Sequence, residues 1–363
     1  MKIQSSLLSV VVLAFLSLSR PSHAADQSLR IGDPAPKLQT GKWVQGEPVK
    51  QFDRDHAYLV EFWATWCGPC RVSIPHLNEV HGKFKDKGLI VIGQDVWERD
   101  ESLVAPFVKK MGDKMTYRVA LDLKTDKEDK GRMAETWMEA ADQNGIPAAF
   151  LVNKEGRIAW IGHPMTLEEK TIEAVIAGEY DLKKAAAAYA EKQEAEKKMQ
   201  AVYQEVNGAM RKKNWEEADA AVDKMAKLLP AGEAGQADNM RFRIALAKKD
   251  SSRANELARR ISDANQERAM LQNSIAWDLV TSKGLDKPDL KLALIIAQRA
   301  SAAAKGKDPQ ILDTVARVQF LMGKKDEAIT SQTRAVELSQ GKDRDQLQQT
   351  LESYKAGKVP TQE

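Results

Sequence analysis

The feature that most constrains the fold of this chain is a change of pattern near residue 180. Before that point, short apolar runs alternate with stretches of helical spacing, as in an α/β domain with a central sheet. After it, strand-like runs disappear, and alanine, lysine, glutamate and leucine recur at helical spacing. A chain of 363 residues also exceeds what one hydrophobic core usually serves. We therefore predict an α/β domain over residues 25–180 and an all-α domain over residues 181–363.

The first half contains recognisable strand and helix patterns. The apolar run from Ala57 to Phe62 predicts a buried strand, and a helical pattern follows from Val72 to Phe84. A turn at residues 154–156 predicts that the last two strands form an antiparallel hairpin that closes the sheet. The other expected strands are at 88–93, 117–121, 148–153 and 157–161, and the other expected helices are near 103–111 and 133–141.

In the second half, four alanines recur in similar contexts near the starts of predicted helices. They are separated by 36, 39 and 35 residues, at Ala218, Ala254, Ala293 and Ala328. This period predicts helical hairpins stacked into a solenoid, here over residues 184–355. The last unit, 312–338, resembles a tetratricopeptide repeat, a class that binds proteins or peptides on a concave surface. An irregular helical bundle without a groove is the alternative.

The N-terminus has the pattern of a secretory signal peptide over residues 1–24. Lys2 precedes an apolar run from Leu7 to Leu18, and small residues follow at Ser22 and Ala24. The apolar run is shorter than the ~20 residues that span a bilayer. We expect an exported protein, periplasmic or otherwise extracytoplasmic, with no membrane span after cleavage. An uncleaved N-terminal anchor is the alternative.

The overall charge gives no sign of a nucleic-acid partner. Lysine and arginine outnumber the acidic residues by only 55 to 52, and the pI is about 8.6. Proteins that bind nucleic acid electrostatically usually carry a larger basic excess.

Both cysteines of the chain lie in one Cys-x-x-Cys motif, at Cys67 and Cys70. In an oxidising compartment such a pair favours redox chemistry, because the loop it closes is too short to restrict the unfolded chain much. Cys67 lies where a strand meets a helix, so helix donors should lower its pKa and make it the nucleophile. Cys70 lies one turn later and should be the shielded, resolving thiol.

A zinc site would need two more ligands at short spacing. The five histidines provide no such pattern, and His76 and His81 share one predicted helix, where solvated or half-buried side chains are expected. We expect no metal, and no cofactor other than the Cys67–Cys70 disulfide.

The segment from Glu61 to Arg71, Glu-Phe-Trp-Ala-Thr-Trp-Cys-Gly-Pro-Cys-Arg, resembles the active site of thioredoxins and especially of exported TlpA-type disulfide reductases. The similarity extends from about Ile31 to Glu179. It implies a thioredoxin fold and a dithiol that exchanges with protein disulfides, with electrons from an unidentified donor. Gly68 and Pro69 are the thioredoxin pair between the cysteines.

The same resemblance implies further residues around the client. Pro147, in the segment Gly145–Phe150, matches a cis proline beside the cysteines, and Ile146 would offer backbone to an extended client. Trp66 is expected to cover the disulfide, with Phe62 and Trp63 in the core. His163 falls in a loop that borders the client groove in thioredoxin folds.

Glu61 occupies the position of the buried aspartate of thioredoxins. Many TlpA-type proteins instead carry a glutamate three residues after the second cysteine, where this chain has Ser73. A carboxylate on a buried strand is desolvated, which raises its pKa and makes it a better base near neutral pH. We predict that Glu61 accepts the proton of Cys70. Alternation along the strand leaves open a solvent-facing Glu61 at the sheet edge.

Two other functions are compatible with the chain. The first is a repeat-based adaptor in which the redox domain only senses or docks. The second is a peroxiredoxin-like antioxidant, but peroxidatic sites carry proline and threonine or serine where Val60 and Ala64 precede Cys67.

Overall fold

The computed structural model describes residues 28–126, 129–230, 232–285 and 287–359, and the predicted signal peptide lies outside these ranges. The chain divides into two compact units, of which the first ends at Glu191 and the second begins at Lys192. We call them the sheet unit and the helical unit. Within the described ranges, no helix is long and apolar enough to cross a membrane.

The sheet unit is built on six strands in the order β1-β4-β3-β2-β5-β6. β2 is central, parallel to β3 and antiparallel to β5. β3 and β4 are parallel, whereas the edge strands β1 and β6 pair antiparallel with β4 and β5. The strands are β1 (Thr40–Gln45), β2 (Ala57–Trp63), β3 (Leu89–Asp95), β4 (Arg118–Asp122), β5 (Ala148–Val152) and β6 (Ile158–Gly162).

Helices cover both faces of this sheet, so every residue of β2 is buried. The helices are α1 (Gly68–Phe84), α2 (Val104–Met111), α3 (Glu169–Ala177) and a π-helical segment, Ala134–Glu139. Leu59 and Trp63 of β2 pack into the cluster that contains both cysteines. Val60 and Phe62 pack on the opposite face, against the π-helical segment. This alternation places one face of β2 beneath the cysteine pair. The mixed sheet and flanking helices form a thioredoxin fold.

The expected strands and the hairpin are confirmed, with ends that differ by one or two residues. Two elements were missed: β1, which is only half-buried and has no apolar run, and α3, which lies beyond the last hairpin. The segment near 133–141, expected to be an ordinary helix, is largely π-helical.

In the helical unit, each helix from α5 onward packs against the next helix along the chain. The four recurring alanines are each the fourth residue of their helix, in α5, α7, α9 and α11, and each is 0% exposed. Their predicted position near helix starts is confirmed, while the tetratricopeptide assignment stays a prediction. The helices are α4 (Leu182–Arg211), α5 (Trp215–Leu228), α6 (Gly235–Lys248), α7 (Ser251–Ala264), α8 (Ala269–Thr281), α9 (Leu290–Ala303), α10 (Pro309–Leu321), α11 (Lys325–Leu338) and α12 (Gly341–Lys355).

The first turns of α4 belong to the sheet unit. Leu182, Ala185, Ala186 and Tyr189 pack against the core cluster of Val60 and Phe62, and the Tyr189 hydroxyl lies 3.3 Å from Gln143 Nε2. The boundary predicted after residue 180 thus falls directly before a helix whose start completes the core of the sheet unit.

Candidate active site

Cys67 and Cys70 form a disulfide at the start of α1, with Cα atoms 5.3 Å apart. Cys67 is the N-cap residue of this helix, and its backbone is extended. The backbone N–H of Cys70 points to Cys67 Sγ at 3.1 Å. Donors at a helix N-terminus stabilise negative charge. The position therefore suits Cys67 to exist as a thiolate after reduction.

The two cysteines are almost equally buried in this oxidised structure. Cys67 is 3% exposed and Cys70 is 0% exposed. Burial therefore does not distinguish the two cysteines in the oxidised state. The carbonyl oxygen of Ile146 lies 3.7 Å from Cys67 Sγ, and the disulfide holds both sulfurs in one core cluster.

The Ile146–Pro147 peptide bond is cis, as the resemblance implied. Pro147 is buried at the start of β5, and Ile146 is half-buried. Gly68 and Pro69, between the cysteines, are exposed. The structure therefore brings Ile146 to the cysteine pair, beside a turn that is exposed at Gly68 and Pro69.

Four hydrogen bonds, two of them from Arg71 to the Thr65 carbonyl, hold the two residues that precede Cys67. The Thr65 N–H donates to the carboxylate of Glu98 at 2.8 Å. The Thr65 carbonyl accepts from Nη2 of Arg71 at 2.6 Å. The Trp66 indole N–H donates to the carbonyl of Trp97 at 3.2 Å, and Trp66 is 51% exposed. The N–H and the carbonyl of Thr65, two residues before Cys67, are thus both held by side chains.

Glu61 lies in the central strand β2 and is 0% exposed, so the alternative of a solvent-facing edge position is wrong. It is flanked by Leu59 and Trp63, which share the core cluster of the cysteines. Neither of its carboxylate oxygens has a hydrogen-bond partner within the described part of the chain. Burial raises the pKa of Glu61 to about 8. The carboxyl therefore titrates close to neutral pH on the cysteine side of the sheet.

The room for Glu61 comes from small neighbours in the adjacent strands. Its register partners are Gly93 in β3 and Ala149 in β5. A Cβ on Gly93 would lie 2.9 Å from the ring of Tyr117 and 3.2 Å from the indole nitrogen of Trp63. Burial, and next the charge of Glu61, raises the pKa of the Tyr117 phenol. Polar atoms of three side chains thus share this buried region without hydrogen-bond partners among the described residues.

The structure also gives the positions of the other residues that the sequence singled out. His163 is exposed in the loop after β6, and its Nδ1 accepts from the Met165 N–H at 3.2 Å. Ser73 is buried and donates to the Cys70 carbonyl at 3.0 Å. His76 and His81 are half-buried, as expected. The predicted core positions of Phe62 and Trp63 are confirmed, since both are 0% exposed.

Glu98 and Trp97 were missed by the sequence analysis, as was the role of Arg71. Glu98 is 33 residues from Thr65, and no local pattern signals that pairing. Trp97 has a positive φ of 54°, which is uncommon for a residue other than glycine. No group of His, Cys, Asp or Glu side chains within the described ranges could hold a metal ion.

Part of the sheet unit is similar to known proteins. Residues 31–161 match the AhpC/TSA family. FixW of Rhizobium leguminosarum is 28% identical over 144 residues, which cover 39% of this chain and 64% of FixW. The thiol-disulfide oxidoreductase ResA of Bacillus anthracis is 29% identical over 165 residues, which cover 44% of this chain and 87% of ResA. The match thus spans just under two thirds of FixW.

Among solved structures, a thiol:disulfide interchange protein DsbE from Chlorobium tepidum is 25% identical. The match covers 41% of this chain and 99% of DsbE, with a TM-score of 0.33.

The sheet unit is therefore a thioredoxin-fold domain with one close cysteine pair. More particularly, residues 31–161 match the AhpC/TSA family, and the relatives of this region include named thiol–disulfide oxidoreductases.

Proposed function

We propose that this protein is an exported thiol–disulfide oxidoreductase that reduces disulfides in client proteins. The observation that carries the proposal is the position of Cys67 at the N-terminus of α1, with the Ile146 carbonyl 3.7 Å from its sulfur. An extended client segment would lie along Ile146 and Pro147, between the exposed turn at Gly68 and Pro69 and the indole of Trp66. His163 would border the same groove.

The exchange proceeds in two steps that conserve electrons. The Cys67 thiolate attacks one client sulfur, a mixed disulfide forms, and the other client sulfur leaves as a thiolate. The Cys70 thiolate then attacks Cys67 Sγ and releases the second client thiolate. Two electrons pass to the client, and the product is the Cys67–Cys70 disulfide seen here. An external dithiol donor must reduce it again. The Gly-Pro pair between the cysteines supports the reducing direction by analogy with thioredoxin.

Glu61 is proposed as the base for the second step. Cys70 is completely buried, so solvent has little access to its proton. Glu61 is buried on the same face of the sheet, and its pKa of about 8 suits proton transfer near neutral pH. Ser73, which replaces the alternative acidic position, donates to backbone and cannot serve as this base.

Reduction of insulin by the chain, with dithiothreitol as donor, tests the enzyme against the adaptor. The wild-type protein should accelerate reduction, and Cys67→Ser should reduce the rate to background. Cys70→Ser should instead accumulate a mixed disulfide at Cys67. No acceleration by the wild type would contradict the proposal, and turnover of hydrogen peroxide without insulin reduction would favour the antioxidant.

The helical unit is proposed to bind a protein or peptide partner independently of the redox chemistry. The recurring helix pairs support this, since stacked helical hairpins form extended concave surfaces. Cys67→Ser should leave such binding unchanged.

A further inference from the structure

The helical unit contains a cleft of about 490 Å³ between α8, α10 and α12. Helix α8 contributes Met270, Asn273 and Trp277 to its lining, α10 contributes Asp313, and α12 contributes Asp343 and Leu347. The three elements are alternate helices of the stack, so one surface of the unit is continuous there. The volume is typical of sites that bind small ligands or side chains.

The charges that line the cleft are all of one sign. Asp313 and Asp343 are its charged lining residues, and among the described residues no lysine or arginine lines it. The chain as a whole carries a formal net charge of +3. The two carboxylates attract a cation here against the overall charge of the protein, and Arg317 beside the cleft offsets the charge of Asp313 only in part.

The cleft also contains oxygen acceptors without donors. Asp313 Oδ1 and Asn273 Oδ1 are both buried and have no hydrogen-bond partner within the described ranges. Burial raises the pKa of Asp313, and the Gln332 amide and the Arg317 guanidinium offset that shift only partly. Buried acceptors without partners are costly, and a ligand that brings N–H groups relieves this cost.

The rest of the lining suits the stem of a long cationic side chain. Met270 is 58% exposed and lies at the cleft with Trp277, and the face of an indole ring attracts cations. The guanidinium carbon of Arg317 lies 5.8 Å from the Trp277 ring, so this ring already binds one cation of the chain. An apolar wall, an aromatic ring and two carboxylates together fit lysine and arginine side chains.

We propose that this cleft binds a lysine or arginine side chain of an extended partner peptide. The inference rests on the proposed partner binding by the helical unit and specifies the chemistry of that partner. The charged head contacts Asp313 and Asp343, and the methylene stem lies along Trp277 and Met270.

Fluorescence anisotropy of the full chain, oxidised so that no thiol reacts, provides the test. The probe is a fluorescein-labelled octapeptide of alternating glycine and arginine, and the comparison peptides carry glutamine or glutamate in place of arginine. The arginine peptide should bind at least tenfold more tightly than the glutamine peptide, and the glutamate peptide should not bind. Because the contact is ionic, its affinity should fall as salt is added.

A matched pair of substitutions on α12 locates the site. Asp343→Asn removes a carboxylate that lines the cleft, whereas Asp345→Asn removes one from the same helix outside it. Asp343→Asn should raise the Kd for the arginine peptide about fivefold, and Asp345→Asn should change it less than twofold. Asp313→Asn should raise the Kd about tenfold, as expected for a hydrogen bond to a charged group. Asp343 is exposed, so Asp343→Asn still tests the proposal if Asp313→Asn misfolds.

Three outcomes would overturn the proposal. They are no binding of the arginine peptide, equal binding of the glutamine peptide, or equal effects of Asp343→Asn and Asp345→Asn. Equal binding of the glutamine peptide would still leave partner binding by the helical unit in place. Insulin reduction is measured separately, so failure of the redox proposal is distinguishable from failure here.

Discussion

Glu61 of the sheet unit and the ion pairs of the helical unit show two different settings for ionisable groups. In the sheet unit, Glu61 is completely buried, has no hydrogen-bond partner among the described residues, and lies between Leu59 and Trp63, which belong to the core cluster of the cysteine pair. In the helical unit, charged side chains join neighbouring helices at the surface, as in the 2.6 Å pairs Arg253–Asp219 and Arg299–Asp263. Partly exposed ion pairs contribute little free energy but help to set which helix surfaces meet. An isolated buried carboxyl costs stability and provides a shifted pKa. The sheet unit thus contains a buried carboxyl whose pKa is shifted, whereas charged pairs in the helical unit connect its helices.

The largest expected effect tests where the sheet unit ends. A chain that stops after Asp181 lacks Leu182, Ala185, Ala186 and Tyr189, which pack on the sheet core. We expect it to be less stable than a chain that stops after Glu191 by about 4 kcal/mol, because that apolar surface becomes exposed. Urea denaturation followed by tryptophan fluorescence measures this, since six of the eight tryptophans precede Asp181. Equal midpoints would show that the core is complete before α4.

The second effect tests the cost of the buried carboxyl. The folded-state pKa of Glu61 is about 8, against 4.5 for an ordinary glutamate, so the folded protein binds the proton more tightly than the unfolded chain does. Stability is therefore full below pH 4.5 and is lost as the pH rises to 8. Relative to Glu61→Gln, the wild type should lose on the order of 3 kcal/mol between pH 4.5 and pH 8.5.

Denaturation of both proteins across this pH range measures the difference. Asp95, whose pKa burial raises to about 9, titrates in both proteins and cancels in the comparison. Parallel stability curves for the wild type and Glu61→Gln would show that Glu61 does not titrate in this window.

The third effect tests the proton transfer. Glu61→Gln removes the proposed base, so release of a preformed mixed disulfide at Cys67 should slow about a hundredfold at pH 7, equivalent to about 2.7 kcal/mol. The rate should recover at higher pH, where hydroxide can deprotonate the Cys70 thiol directly. Stopped-flow measurement of thiol release gives the pH–rate profile. An unchanged profile would remove Glu61 from the mechanism, while a uniform loss at every pH would indicate a structural role only.

The smallest effect tests the helix packing of the helical unit. Ala293 is fully buried in α9, whereas Ala302 of the same helix is exposed. Ala293→Val should destabilise the helical unit by about 2 kcal/mol more than Ala302→Val, because the added methyl groups overpack a tight helix contact. Circular dichroism at 222 nm follows this unfolding, and insulin reduction should not change. A loss of redox activity in Ala293→Val would contradict the separation of chemistry from binding.

Much of the fold could be predicted because its signals are local. Buried strands such as β2 appear as apolar runs, and the positions of Ala218 and Ala328 in their helices follow from repeat spacing. The edge strand β1 gave no such signal, since its burial depends on pairing with β4, more than 70 residues later. The π-helical geometry at 134–139 also has no signature in the residue types.

The candidate site likewise contains features that the sequence predicts and features that it does not. The Cys67–Cys70 motif, its position at a helix start and the resemblance of Pro147 to a cis proline were all available from the chain itself. The contacts of Thr65 with Glu98 and Arg71 were not, and neither was the burial of Cys67.

By itself, the sequence predicted the candidate residues for the chemistry, which are one thiol pair at a helix N-terminus and a carboxyl on the preceding strand, and it predicted a helical half with a regular period. These follow from interactions among residues within a few positions of one another. Only the tertiary structure decided that Glu61 is fully buried on the cysteine face, and that Asp313 and Asp343 line one cleft. Burial and electrostatic environment depend on distant segments such as Gly93 and Ala149, and the sequence near a residue does not contain them.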